Sequence, residues 1–324
     1  MEPQSAEDPL APLNITRTSS TRNSLLGKRR ACSHLDRYEW LFLGIVSLTL
    51  AGVLAITLYR LFLLPTATSE FTLAVLVLFN ILFCYIYAFH GVFYEQPNEI
   101  YFLVLSTVII LVYSVVGYHV GEIQDSVKTG KLMYTCFVGP IIVILGFQIG
   151  CHYRVSGNLL FRTVGGDPYM QIICRRAQLQ CVLLLFDAQL MYSAILLVIH
   201  AVGINLVQEL LVLILGSIFT LIWILIGYLM VRCESLIAMA AFLTLSVVQP
   251  SYIIWRLSTA GVHQQDLLGK TILQVSASFF LFVHAYLVGN TVRVYQNFGK
   301  GLKEKIFGDT RSTSQYGAIP DILT

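Results

Sequence analysis

Asp187 stands in the run Leu185-Phe186-Asp187-Ala188-Gln189, and His284 in Phe282-Val283-His284-Ala285, each inside a long apolar stretch. Ionisable groups at mid-membrane cost about 2.5–3.5 kcal/mol on insertion scales, so each calls for a reason. Asn80 and Gln249 add amides to two further apolar stretches. The four residue types suit two kinds of chemistry. One is a proton-titrating pair, or an ion or solute site lining a cavity, built on a carboxylate and an imidazole. The other is a structural hydrogen bond between helices, with the carboxyl held neutral by desolvation. Gly139-Pro140 and Gln249-Pro250 are expected to kink their helices and free carbonyls, which can coordinate an ion or relieve packing.

Four further histidines fall at span ends, His90 and His152 at one membrane face and His119 and His200 at the other. This placement resembles the ascorbate-reducible transmembrane di-haem cytochromes, where paired histidines hold one haem near each face. The resemblance covers these four residues only, because that family has six spans and none of its other motifs occurs here; interfacial histidine is the reading retained over haem. The seven cysteines show no CxxC and no metal spacing. No GxSxG, HExxH, P-loop or acidic metal cluster is present, so the sequence offers no catalytic residue and no metal ligand set.

The elements that must carry these residues follow from composition. With 56% hydrophobic and 12% charged residues in 324, the chain has about half the charge of a soluble domain, and its solvent is lipid. A formal charge of +3 with dispersed basic residues gives no nucleic-acid groove. A span needs about 20 apolar residues. Eight stretches qualify: 38–64, 71–93, 100–120, 132–151, 179–201, 206–231, 236–255 and 271–292. The fold expected is therefore all-α, a polytopic bundle of eight transmembrane helices with short loops. The chain divides into a basic, compositionally disordered tail (1–37), helices one to four (38–153), a loop (154–178), helices five to eight (179–292) and a second tail (293–324). Residues 1–37 contain no apolar signal-peptide core, so the first span is expected to serve as the targeting signal.

Orientation follows from the positive-inside bias. Sixteen of the 21 basic residues lie in the tails or in even-numbered loops. Five lie on the other side: Arg60, Lys128, Lys131, Arg256 and Lys270. Both termini are thus expected in the cytoplasm, in the plasma membrane or an endosomal or lysosomal membrane. The loops on the opposite side are too short to build the ~800 Å² a stable protein interface buries per partner, which argues against a hormone receptor.

In the loop 154–178, Gly165-Gly166 followed by Asp167-Pro168 predicts a helix start, with an N-cap and proline at the first helical position. Arg175 and Arg176 would then meet lipid headgroups. Gly117-x-x-x-Gly121 and Gly146-x-x-x-Gly150 predict close helix packing within the chain. In the second tail, Tyr316-Gly317-Ala318-Ile319 has the tyrosine-x-x-hydrophobic form read by clathrin adaptors, with Tyr316 and Ile319 as the anchoring positions. Two functions from different classes fit this sequence. The first is a carrier or channel for a small solute or ion, centred on Asp187 with His284, Asn80 and Gln249. The second is a non-transporting receptor or scaffold acting through its loop and tails, with a transmembrane haem redox protein behind both.

Overall fold

The computed structural model describes residues 22–24, 27–30, 35–63, 69–120, 126–156, 161, 165–202, 206–263 and 267–301. Over these residues the chain is an all-α bundle with eight helices long and apolar enough to cross a membrane. The helices are α1 (Arg37–Leu63), α2 (Ser69–Phe93), α3 (Pro97–Val120), α4 (Ser126–Ser156), α5 (Pro168–Val202), α6 (Leu206–Cys233), α7 (Leu236–Ser246), α8 (Val248–His263) and α9 (Leu267–Tyr295). Short helices α7 and α8 together form the seventh span, Leu236–Ser258.

Helix starts follow local chemistry. At α5, Asp167 Oδ1 accepts from the Tyr169 amide at 3.0 Å, with Pro168 at the first helical position. At α1, the Glu39 carboxylate returns to accept the Asp36 amide at 2.8 Å, one half of a capping box.

The first four helices form a ring of contacts in which α1 and α3 each pack on both α2 and α4. Small residues of α4 admit α3. A methyl group placed on Gly139, Gly146 or Gly150 would lie 2.7, 2.7 and 2.6 Å from Leu111, Val104 and Tyr101 respectively. Pro140 sits within α4 without ending it. The second group is organised around α5, which packs on α2, α3, α6, α8 and α9. Its spanning window is 83% buried, against 17–56% for the other seven, so α5 is the axis of the molecule.

The tail 1–37 is not featureless where it meets the membrane end of the bundle. Strands β1 (Arg22–Ser24) and β2 (Gly27–Arg29) pair antiparallel. Just beyond them, Arg30 Nη1 contacts Glu39 Oε1 at 2.7 Å and Glu95 Oε1 at 2.9 Å, and Tyr153 donates to the same Glu39 oxygen at 2.7 Å. Burial lowers the affinity of Arg30 for its proton, but Glu95 and Glu39 outweigh it and hold the guanidinium pKa above its ordinary value. Glu95 occupies a left-handed conformation (φ 47°) at the end of α2, where the Gln96 amide bonds the Gly91 carbonyl at 2.9 Å. The second tail has a counterpart: the Gly299 amide donates to Glu234, also left-handed (φ 49°), in the turn between α6 and α7.

Candidate functional site

The seventh span breaks at Val247, three residues before Pro250. Proline has no N–H to give the carbonyl four residues earlier, so Ser246 O loses its helical partner. His284 supplies the replacement. Its Nε2 lies 2.8 Å from Ser246 O, and its Nδ1 lies 3.0 Å from Asp187 Oδ2. One imidazole therefore joins a helix break on one side to a carboxyl group on the other.

The hydrogen inventory of this chain is constrained. A carbonyl only accepts, so Nε2 carries a hydrogen. The contact from Nδ1 to Oδ2 then needs one further proton between two atoms that would otherwise both be acceptors. Asp187 and His284 thus share a single proton, held as acid plus neutral imidazole or as carboxylate plus imidazolium. Asp187 is fully buried and His284 is 4% exposed. Asp187 Oδ1 has no hydrogen-bond partner among the described residues, and neither polar atom of the Gln249 amide has one. Aromatic rings enclose the pair: Trp223 stacks on His284 at 5.9 Å and on Phe242 at 4.9 Å, and Phe280 lies 5.5 Å from His284. The Trp223 indole N–H donates to Ser246 Oγ at 3.0 Å, which ties α6 to the same break.

A second polar rung joins the same two helices. Gln180 Nε2 donates to Thr291 Oγ1 at 2.7 Å and accepts from Asn290 Nδ2 at 2.8 Å. Gln180 and Asp187 are seven residues apart on α5, as are His284 and Thr291 on α9. The two pairs, 180 with 291 and 187 with 284, have equal sums, as an antiparallel register requires. Seven residues separate the rungs by about 10.5 Å along the axis.

Asn80 belongs elsewhere. It accepts from Gln189 Nε2 at 2.6 Å and donates to Leu76 O at 2.8 Å. Gln189 Oε1 in turn accepts from Tyr87 at 3.1 Å and from Ser106 at 3.0 Å. This cluster lies between α5, α2 and α3, and each of its named partners is satisfied. Of the four residues singled out in the sequence, two touch, Gln249 lies three residues past the Ser246 carbonyl, and Asn80 joins a separate network.

The remaining sequence candidates are placed as follows. Arg175 and Arg176 are exposed on the early turns of α5. His119 and His152 are exposed at helix ends, and the side chain of His200 lies outside the described residues, as do Tyr316 and Ile319. His90 is engaged: its Nδ1 lies 2.6 Å from Glu99, its ring stacks on Tyr94 at 4.0 Å, and its Nε2 is buried without a partner among the described residues.

The sequence reading passed over Glu39 and Glu99, since both sit in first helical turns where acidic residues are common. It also passed over Trp223 and Ser246. The available signal was Pro250 itself, which names Ser246 as the orphaned carbonyl.

A family model described as a domain of unknown function (DUF7789) matches residues 26–150 and 164–293. The two matched segments coincide with α1 to α4 and with the α5 to α9 group. No curated protein matches, and no solved structure matches.

Proposed function

The chain belongs to the DUF7789 family, whose description names no activity, and we propose from its geometry that it is a proton-linked carrier of a small solute, with Asp187 and His284 as the group that takes up and releases the proton. The observation that carries this reading is the contact of His284 with Asp187 on one side and with the Ser246 carbonyl of a broken span on the other. Replacing a buried ion pair with apolar residues is often neutral or stabilising, so an inert bundle has little use for one. Here the pair also caps the one carbonyl that Pro250 releases. Losing or gaining a proton at His284 therefore alters the bond that holds α7 and α8 in their present relation. Discontinuous spans whose freed carbonyls face a site near the midplane are a recurring device of carriers. The unpartnered Asp187 Oδ1 and the Gln249 amide provide polar surface for a proton, water or solute once the site opens.

The competing reading is a non-transporting scaffold. It draws support from the Asn80 network, which is buried and satisfied, and from the two tail attachments at Glu39 and Glu234. Proteoliposomes loaded with a pH-sensitive dye separate the two. Under an inward proton gradient, amino acids, sugars, nucleosides and organic acids are offered in turn. A carrier acidifies the lumen with one class, and Asp187→Asn abolishes that acidification while folding normally. Acidification with none of the four classes, or equal acidification by the variant, sinks the carrier.

Both termini belong in the cytoplasm on this reading, from the sixteen-to-five division of basic charge. The sequon Asn14-Ile15-Thr16 should then stay unmodified. A glycan on Asn14 would invert the topology.

A further inference from the structure

We propose that His90 and Glu99 form a second proton-holding pair, through which Asp187 exchanges its proton with water on the tail side of the membrane; the proposal rests on the reading of Asp187 as a proton group. His90 stands in the last turn of α2 and Glu99 in the first turn of α3, at the end of the bundle where Arg30 of the tail meets Glu95. The imidazole Nδ1 lies 2.6 Å from both Glu99 oxygens. The Glu99 side chain is 8% exposed and that of His90 24%, so the pair reaches from the surface into the interior.

The hydrogen inventory gives His90 a capacity that His284 lacks. An ionised Glu99 only accepts, so a neutral imidazole carries its hydrogen on Nδ1 and leaves Nε2 as a bare lone pair. That Nε2 is buried, and it has no hydrogen-bond partner among the described residues. Both ring nitrogens of His284 are already engaged. A proton arriving on Nε2 converts carboxylate plus imidazole into carboxylate plus imidazolium, with Glu99 balancing the new charge. Passing one proton on through water to Asp187 Oδ1, which also has no partner among the described residues, restores the pair. Release runs through the same steps in reverse.

The two pairs lie along one helix. Cys181 of α5 is within electrostatic reach of Glu99, and Asp187 is six residues further along α5, about 9 Å deeper. Between these levels Phe102, one turn past Glu99 on α3, meets Phe186, the neighbour of Asp187, with ring centres 4.6 Å apart. Water must pass these two rings to join the pairs. The other titratable groups facing the outer pair are Tyr94, stacked on His90 at 4.0 Å, and Tyr87, within electrostatic reach of Glu99 from α2. Tyr228 and Arg232 of α6 lie beyond Tyr94 and Cys181. Among the described residues only Glu99 contacts a ring nitrogen of His90.

Infrared spectroscopy after a pH jump, on the full-length protein in lipid films, tests the route without any solute. The carboxyl band that Asp187→Asn removes reports protonation of Asp187, and the rate of its response is the readout. Glu99→Gln and His90→Gln should each slow that response about tenfold or more and leave its final extent unchanged. His90→Gln, which keeps the acid, decides the matter should Glu99→Gln fail to fold. A pair that only holds α2 to α3 predicts the opposite, because loosening the two helices admits water and quickens the exchange. A response as fast as in the unaltered protein, or faster, overturns the proposal and leaves the carrier standing. A slowed response in a protein that moves no solute retains the pair and removes the carrier. A band that ignores pH removes Asp187 as a proton group, and both readings fall.

Discussion

His284→Ala should destabilise the protein far less when Pro250 is also replaced by alanine. In the single variant two buried acceptors lose their partner, Ser246 O and the Asp187 carboxyl. Each orphaned group costs about 1–3 kcal/mol, giving about 2–6 kcal/mol for the pair. Measured interhelical bonds in bilayers average about 0.6 and reach about 1.7 kcal/mol, which favours the lower end. Alanine at 250 restores the N–H that proline lacks. The next rung is already in place, since the Ser251 amide bonds Val247 O at 3.3 Å, so a residue-250 amide can close onto Ser246 O with little rearrangement. In that background only Asp187 is orphaned, and the penalty of His284→Ala should fall by about 1 kcal/mol or more. Loss of the Trp223 and Phe280 ring contacts occurs in both backgrounds and cancels in the cycle. Unfolding free energies from steric trapping in micelles, for the four proteins of the cycle, measure the coupling. Additivity within about 0.5 kcal/mol would refute the claim that His284 serves the carbonyl that Pro250 releases.

Three further outcomes test the frame around the site. Gly150→Leu should lower stability by about 1–3 kcal/mol, because the new side chain meets the Tyr101 ring, while Gly44→Leu, with no atom within 4 Å of its added carbon, should change it by less than about 0.5 kcal/mol; thermal unfolding of the two decides. Gln189→Leu should cost about 3 kcal/mol or more by freeing Asn80, Tyr87 and Ser106, yet leave solute-linked acidification in the folded fraction intact; loss of flux in a stable Gln189→Leu protein would move the site toward Asn80. Arg30→Ala should release residues 22–30 from the bundle and speed their proteolysis. Because Glu95 and Glu39 hold the arginine pKa up, its contribution is present at neutral pH and, as pH rises, is lost only in strong alkali, so raising pH from neutral to mildly basic should not mimic the substitution.

The eight spans were legible because apolar length is a property each segment carries by itself, and the start of α5 because Asp167-Pro168 is a local signal. The Asp187 to His284 contact was legible as equal depth, since antiparallel spans of known ends fix height, but not as contact, which depends on which helices are neighbours. That neighbourhood is where the sequence ran out. Nothing local marks α5 as the axis: it is less apolar than every other span but α9, and it carries Gln180, Asp187, Gln189 and Ser193. Those polar residues are the reason for its place. A helix with four polar side chains in a bilayer must turn them toward protein, and no single face holds them all, so it has to be enclosed on several sides. Gln180 and Asp187 meet α9, while Gln189 and Ser193 meet α2. The polarity that marked Asp187 as a candidate site is therefore also what requires α5 to be central. Of those four residues, Asp187 alone is ionisable, is joined through His284 to the break at Val247 and keeps an oxygen without a partner among the described residues, which sets it apart from the hydrogen-bonded amides and hydroxyl on the same helix.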